Sequence, residues 1–185
     1  MEENVYAPPK AAVADVASIK NNIGLRFFAV SPVKLVVLSN CTLGLYQIYW
    51  FYKHWALIRE HSEPHIVPWA RAFFGFFWCY SCFQYIRNDE RQFDIEPTLP
   101  AGPLAIGWIA ASLTWRLPEP YFLIGFLAPL LLVPVQLHVN RINALVAPDH
   151  DTNTRFSGWN WLAVAAGVIF LGLVMLGLAL PARGS

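Results

Sequence analysis

Two short groups of residues in this sequence have the side-chain types that do chemistry. Cys79-Tyr80-Ser81-Cys82 is a C-x-x-C, the spacing of dithiol redox pairs. Such pairs draw on a helix amino terminus to stabilise the thiolate. These two cysteines fall in the middle of an apolar run, where burial disfavours the charged form. Packing is therefore the first reading of Cys79 and Cys82, and thiol redox chemistry the second. His61 and His65, with Glu60 and Glu63 between and beside them, put two imidazoles and two carboxylates in one short loop. Pro64 prevents the helical i, i+4 arrangement that would aim both rings at one ion, so the group reads as a solvated loop and no metal site is expected. The sequence calls for no cofactor and holds no motif with catalytic spacing.

Polar residues inside apolar runs carry more information, because each one is costly in lipid and should face protein or water. They fall at helical spacing. Asn40, Gly44 and Gln47 are placed i, i+4, i+7, with His54 one repeat further on; Gln84, Arg87 and Arg91 fall at i, i+3, i+7, and Gln136, Asn140 and Asn143 again at i, i+4, i+7. The first reading is hydrogen bonding between helices. The second is a polar cavity for a small ligand or ion. In either case the stripes on the first, second and fourth apolar runs are expected to turn toward one another. No intramembrane carboxylate accompanies them, which argues against a proton-coupled transporter.

The elements that would position these side chains read as membrane helices. Phe156 to Ala182 contains no charged residue, and its Trp159–Leu180 core has the ~20 residues a helix needs to cross a bilayer. Only Asn160 interrupts an apolar surface that runs all the way round, so lipid or other helices must surround it. Composition agrees, at 56% hydrophobic residues and a mean hydropathy of +0.42. The expected fold is all-α, a polytopic integral membrane helix bundle with five transmembrane helices at about 34–54, 69–88, 103–116, 120–140 and 158–181. Residues 31–185 would form one transmembrane domain behind a flexible polar tail, 1–30, in which Pro8-Pro9 bars helix. The second run has only 15 uncharged residues, Ala72 to Ile86, so the alternative is four spans with that helix interfacial or re-entrant.

Ser31-Pro32 and Pro68 suit helix starts. Pro129 and Pro134 should kink the fourth run. Residues 1–24 lack an apolar segment of the signal-peptide kind, so the first membrane helix is expected to act as its own anchor. With the amino terminus inside, Lys10, Lys20, Arg26, Lys34, Arg87, Arg91, Arg141 and Arg155 fall inside and Lys53, Arg59, Arg71, Arg116 and Arg183 outside. That bias weakly favours a cytoplasmic amino terminus.

The stretch Thr42-Leu43-Gly44-Leu45-Tyr46-Gln47-Ile48-Tyr49-Trp50-Phe51-Tyr52-Lys53 resembles one found at the end of a membrane helix in small bacterial integral membrane proteins of unknown function. Asn4-Val5-Tyr6-Ala7-Pro8-Pro9 is similar to the N-P-Y-A-P-P opening common among them, with Val5 where proline is usual. The resemblance implies a bacterial inner-membrane location and brings no catalytic residues with it.

The formal net charge of +1 gives no basic arm for nucleic acid. Three cysteines, Cys41, Cys79 and Cys82, are an odd number within apolar stretches, unlike a disulfide framework. The expected partners are the lipid bilayer and either a second copy of the chain or another membrane protein. The leading expectation is a non-enzymatic multi-pass protein acting through helix contacts. A carrier or channel lined by the amides comes next, and a thiol redox protein using Cys79 and Cys82 last.

Overall fold

Ser31 begins the first helix as the sequence predicts: its Oγ accepts from the Lys34 N–H at 3.2 Å, and Pro32 occupies the first turn, where its missing N–H costs nothing. The computed structural model describes residues 24–92 and 98–179, and every regular element among them is helical. The α-helices are α1 (Pro32–Cys41), α2 (Leu45–His61), α3 (Pro68–Phe73), α4 (Gly75–Gln92), α5 (Ala101–Leu113), α6 (Val133–Val146) and α7 (Gly158–Ala179). A short 3-10 turn, Thr114–Arg116, follows α5, and a long 3-10 segment, Tyr121–Leu132, leads into α6. Two helical stretches are long and apolar enough to cross a membrane, Tyr121–Val146 with 26 residues and Gly158–Gly177 with 20.

The span expected at 34–54 is not one helix. Gly44 N–H bonds to Ser39 C=O at 2.8 Å and Leu43 N–H to Asn40 C=O at 3.2 Å, the paired bonds of a Schellman cap. The cap requires left-handed backbone, found at Leu43 (φ 51°) and Gly44 (φ 92°). The chain then turns back on itself. Phe28, which precedes α1, meets Tyr49 and His54 of α2 with ring centroids 5.6 and 6.2 Å apart, and Lys53 Nζ lies 5.9 Å from the centre of the Phe28 ring. Both ends of the expected span therefore lie at the same end of the bundle, and α1 with α2 forms a hairpin.

The helix expected at 69–88 also breaks, at Phe74, into α3 and α4. Gly75 sits against Phe51, Tyr85 against Trp55, and Tyr85 Oη donates to Glu63 Oε1 at 3.2 Å. Contacts thus advance along α2 and α4 together, so the two helices run parallel and α3 supplies the return. Residues 62–63 and 85–89 end up side by side.

The runs expected at 103–116 and 120–140 pack against each other as an antiparallel pair. Gly107 faces Leu131, and Thr98 Oγ1 lies 3.1 Å from His138 Nε2. Pro129 and Pro134 lack the N–H groups that would reach back to residues 125 and 130 in an α-helix, consistent with 3-10 backbone before α6. At Gly125 a Cβ would stand 2.6 Å from the Trp115 indole nitrogen, so the indole packs here against bare backbone and any larger residue would push it aside.

The expected tail also needs correction. Residues 1–23 lie outside the described residues, but Phe27, Phe28, Ala29 and Val30 are core residues, none more than 9% exposed. The chain therefore winds up and down between two ends. At the end called here the rim are residues 24–30, 62–67, 85–89 and 147–157; at the floor are the turns at 42–44, 74 and 114–120. Between them the core is aromatic: Trp50, Phe51, Trp55 and Phe83 are at most 1% exposed.

Candidate functional site

The segment Phe27–Val30 is buried without being helical, so its carbonyls cannot be satisfied by their own backbone. Side-chain amides do it instead. Asn143 Nδ2 donates to Phe27 C=O (2.8 Å), Gln136 Nε2 to Phe28 C=O (3.1 Å), Asn153 Nδ2 to Ala29 C=O (3.1 Å) and Asn140 Nδ2 to Val30 C=O (3.0 Å). Four consecutive carbonyls thus take four amides. Asn143 Oδ1 also accepts from Phe27 N–H at 3.1 Å. Three of the four amides sit on one face of α6 because i, i+4, i+7 residues share a face.

Gln136 is the centre of the set. Its Oε1 accepts from Trp50 Nε1 at 2.6 Å, and its Nε2 also donates to Asn140 Oδ1 at 2.8 Å. His54 is completely buried one turn above Trp50, with ring centroids 4.1 Å apart. The Gln136 amide lies beside the imidazole, yet neither ring nitrogen makes a hydrogen bond of good geometry among the described residues. Gln47 occupies a separate position nearer the floor, where its Oε1 accepts from Trp108 Nε1 at 2.7 Å.

The remaining stripe residues do not join this network. Gln84 bonds within its own helix, Nε2 to Tyr80 Oη at 2.6 Å. Arg87 is half-buried, and its Nε is unpaired among the described residues; Asn40 is half-buried on α1; the Arg91 side chain lies outside the described residues. Of the first run's stripe only His54 lies beside the fourth run's amides; Gln47 turns to Trp108 of α5, Asn40 stays on α1 and the second run's stripe stands apart, so the expected convergence of the three stripes is not what the structure has. Cys79 and Cys82 are fully buried free thiols on one face of α4, and Cys79 Sγ is 3.8 Å from Phe76 C=O. His61 Nδ1 lies 2.8 Å from Leu57 C=O, and among the described residues no three His, Cys, Asp or Glu side chains are grouped to hold a metal.

Several important residues carry no motif. Arg26 and Asp89 form a bidentate pair at the rim: Nε donates to Oδ1 (2.9 Å) and Oδ2 (3.0 Å), and Nη2 to Oδ1 (2.7 Å). Asp89 is 5% exposed, and a pocket of about 200 Å³ beside the pair is also lined by Phe27, Ile58, Ser62, Tyr85 and Asn88. Lys34, also buried, donates to Asn153 Oδ1 and Arg155 C=O, both at 2.7 Å. With the Asn160 amide oriented to satisfy its neighbours, its oxygen accepts from Lys34 Nζ at 3.1 Å. The partners are 63 and 119 to 126 residues apart, beyond what local spacing can signal.

α7 is joined to the rest chiefly through α1. Lys34 holds its first turn, and at Gly167 a Cβ would collide with the backbone of Cys41. Only 6% of its apolar window is buried, and Leu162, Ile169, Leu173 and Leu176 are each more than half exposed. No family model matches this sequence, and no match was found among curated proteins or solved structures.

Proposed function

We propose that the chain is a small, non-enzymatic multi-pass protein of the bacterial inner membrane that works through helix contacts with a second copy of itself or with another membrane protein. The observation that carries this reading is α7: a 20-residue apolar stretch, attached along one line to α1 and apolar on every other side. In water such a surface would be a large exposed patch; in a bilayer it is a lipid- and helix-facing surface. The amide network favours a structural over a transport role, because its donors are spent on the main chain of residues 27–30 and not directed at a lumen.

In this reading α1–α2 and α3–α4 are re-entrant hairpins entering from the rim. Ten residues of α1 cover ~15 Å and six of α3 ~9 Å, each well short of the ~30 Å hydrocarbon core. Non-helical backbone at membrane depth is tolerated where protein buries it, as here at 27–30. Tyr121–Val146 and α7 are long enough to cross, and α5 with the 3-10 turn Thr114–Arg116 carries the chain from the rim to the floor between the hairpins and them. Charge supports the rim as the cytoplasmic face. Arg26, Lys34, Lys53, Arg59, Arg87, Arg141 and Arg155 lie toward it, while Arg116 is the one basic residue of the floor turns among the described residues. Arg71 sits between, over the rings of Trp55 and Trp78. That is a much stronger positive-inside bias than five straight spans allow.

The contact reading is tested with single cysteines at the exposed positions Ile169 and Leu173 in an otherwise cysteine-free chain, oxidised in native membranes. A disulfide-linked dimer identifies self-association, and adducts formed with bifunctional thiol reagents identify a membrane partner. A species that stays monomeric and unlinked, in cells whose phenotype survives replacement of the outward α7 residues by leucine, would count against the proposal.

A further inference from the structure

We propose that the cavity where the floor turns of the hairpins meet binds a neutral, lipid-soluble molecule with a carbonyl-bearing ring, of the quinone type, whose alkyl tail leaves along the outside of α2 and α3. The cavity measures about 210 Å³, and its walls include the rings of Phe51, Phe73, Phe76, Trp108 and Trp115. Those faces favour a flat occupant.

Two polar groups reach this apolar space with capacity unspent. Gln47 is 7% exposed and uses Oε1 on the Trp108 indole, while its Nε2 has no acceptor among the described residues. That nitrogen faces the left-handed turn in the cavity wall, 3.7 Å from where a Cβ would stand at Gly44. Ser112 Oγ, also in the wall, has no partner among the described residues. An amide N–H that opens onto an apolar, aromatic-walled cavity with no acceptor in the described chain is a place for an acceptor from outside it. A ring carbonyl supplies that acceptor without bringing a charge.

The tail has a path. A shallow apolar groove of about 410 Å³ on the outer surface shares Leu45, Ile48, Ala72 and Phe73 with the cavity and continues past Tyr52 and Trp69. No charged side chain lines either space, which disfavours a fatty acid or a phospholipid headgroup and suits a neutral ring on an alkyl chain.

The test is calorimetric titration of the full-length chain in detergent with decylubiquinone, set against decane and a short-chain phosphatidylglycerol. We expect saturable binding of the quinone alone, weakened at least tenfold in Gln47→Leu and abolished in Ser112→Phe. The second variant fills the cavity and leaves the Gln47–Trp108 bond in place, so it decides the matter if the first fails to fold. Equal binding of decane, preferential binding of the phospholipid, or unchanged quinone affinity in Ser112→Phe would overturn the proposal. None of these readouts depends on self-association or on a membrane partner.

Discussion

Asn143 holds both polar groups of Phe27: its Oδ1 takes the N–H at 3.1 Å and its Nδ2 gives to the C=O at 2.8 Å. A side chain is standing in for a neighbouring strand. It lets a non-helical, apolar segment lie in the core of an all-helical protein with its backbone groups satisfied, and it ties residue 27 to a helix 116 residues away.

Asn143→Leu keeps the size of the side chain and leaves both Phe27 groups unpaired and buried. Each such group costs about 1–3 kcal/mol, so losing both should cost about 2–6 kcal/mol. Gln84→Leu, which removes only a local bond to Tyr80, should stay within about 0.5 kcal/mol. Denaturant titration in mild detergent compares them. Equal losses would mean that the Phe27 contact is not what Asn143 contributes.

The spacing of Gln136, Asn140 and Asn143 made the amide face of α6 legible, because period alone identifies which residues share a helix face. Their target was not legible. The apolar run Phe27-Phe28-Ala29-Val30 before Ser31-Pro32 was the available signal that the segment is buried, but sequence cannot say that a non-helical piece will be satisfied by side chains far along the chain. Likewise Gly44 was visible as a small residue within a stripe, and its second meaning, the left-handed cap that folds α1 back against α2, depends on Leu43 also accepting positive φ.

The Arg26–Asp89 pair predicts a non-additive mutant cycle. Asp89 is the buried member of the pair, and Arg26 is the one side chain bonded to its carboxylate among the described residues. Removing the partner of a buried charge is costly, so Arg26→Leu should be clearly destabilising, by roughly 1–3 kcal/mol, and adding Asp89→Leu should recover part of the loss. If the double variant is worse than Arg26→Leu by the full cost of a second independent change, the two side chains are not coupled.

Gly167 sets how closely α7 approaches α1. Gly167→Leu should cost about 1–3 kcal/mol by forcing Cys41 aside, whereas Gly172→Leu, with nothing within 4 Å of a Cβ, should be near neutral. Thermal unfolding in detergent reads the difference. Equal effects would imply that α7 does not pack on Cys41.

Cys79 and Cys82 are buried, and Cys41 is half-buried. Maleimide applied to intact membranes should leave Cys79 and Cys82 unlabelled until the protein is denatured. Rapid labelling of either in the folded state would revive a thiol role.

The folding of α1–α2 and α3–α4 as hairpins from one face is tested most directly by single-cysteine accessibility at residues 62, 118 and 150, using a membrane-impermeant maleimide on intact cells and on inverted vesicles. Ser62 bonds back to Ile58 at the same end as Asp89, and His150 lies in the 147–157 connector that joins Lys34 at the rim. The prediction is that positions 62 and 150 label together, from the cytoplasmic side only, while position 118 labels from outside. Labelling of 62 from outside and 150 from inside would mean that residues 34–54 cross the membrane as one helix, and would contradict the account.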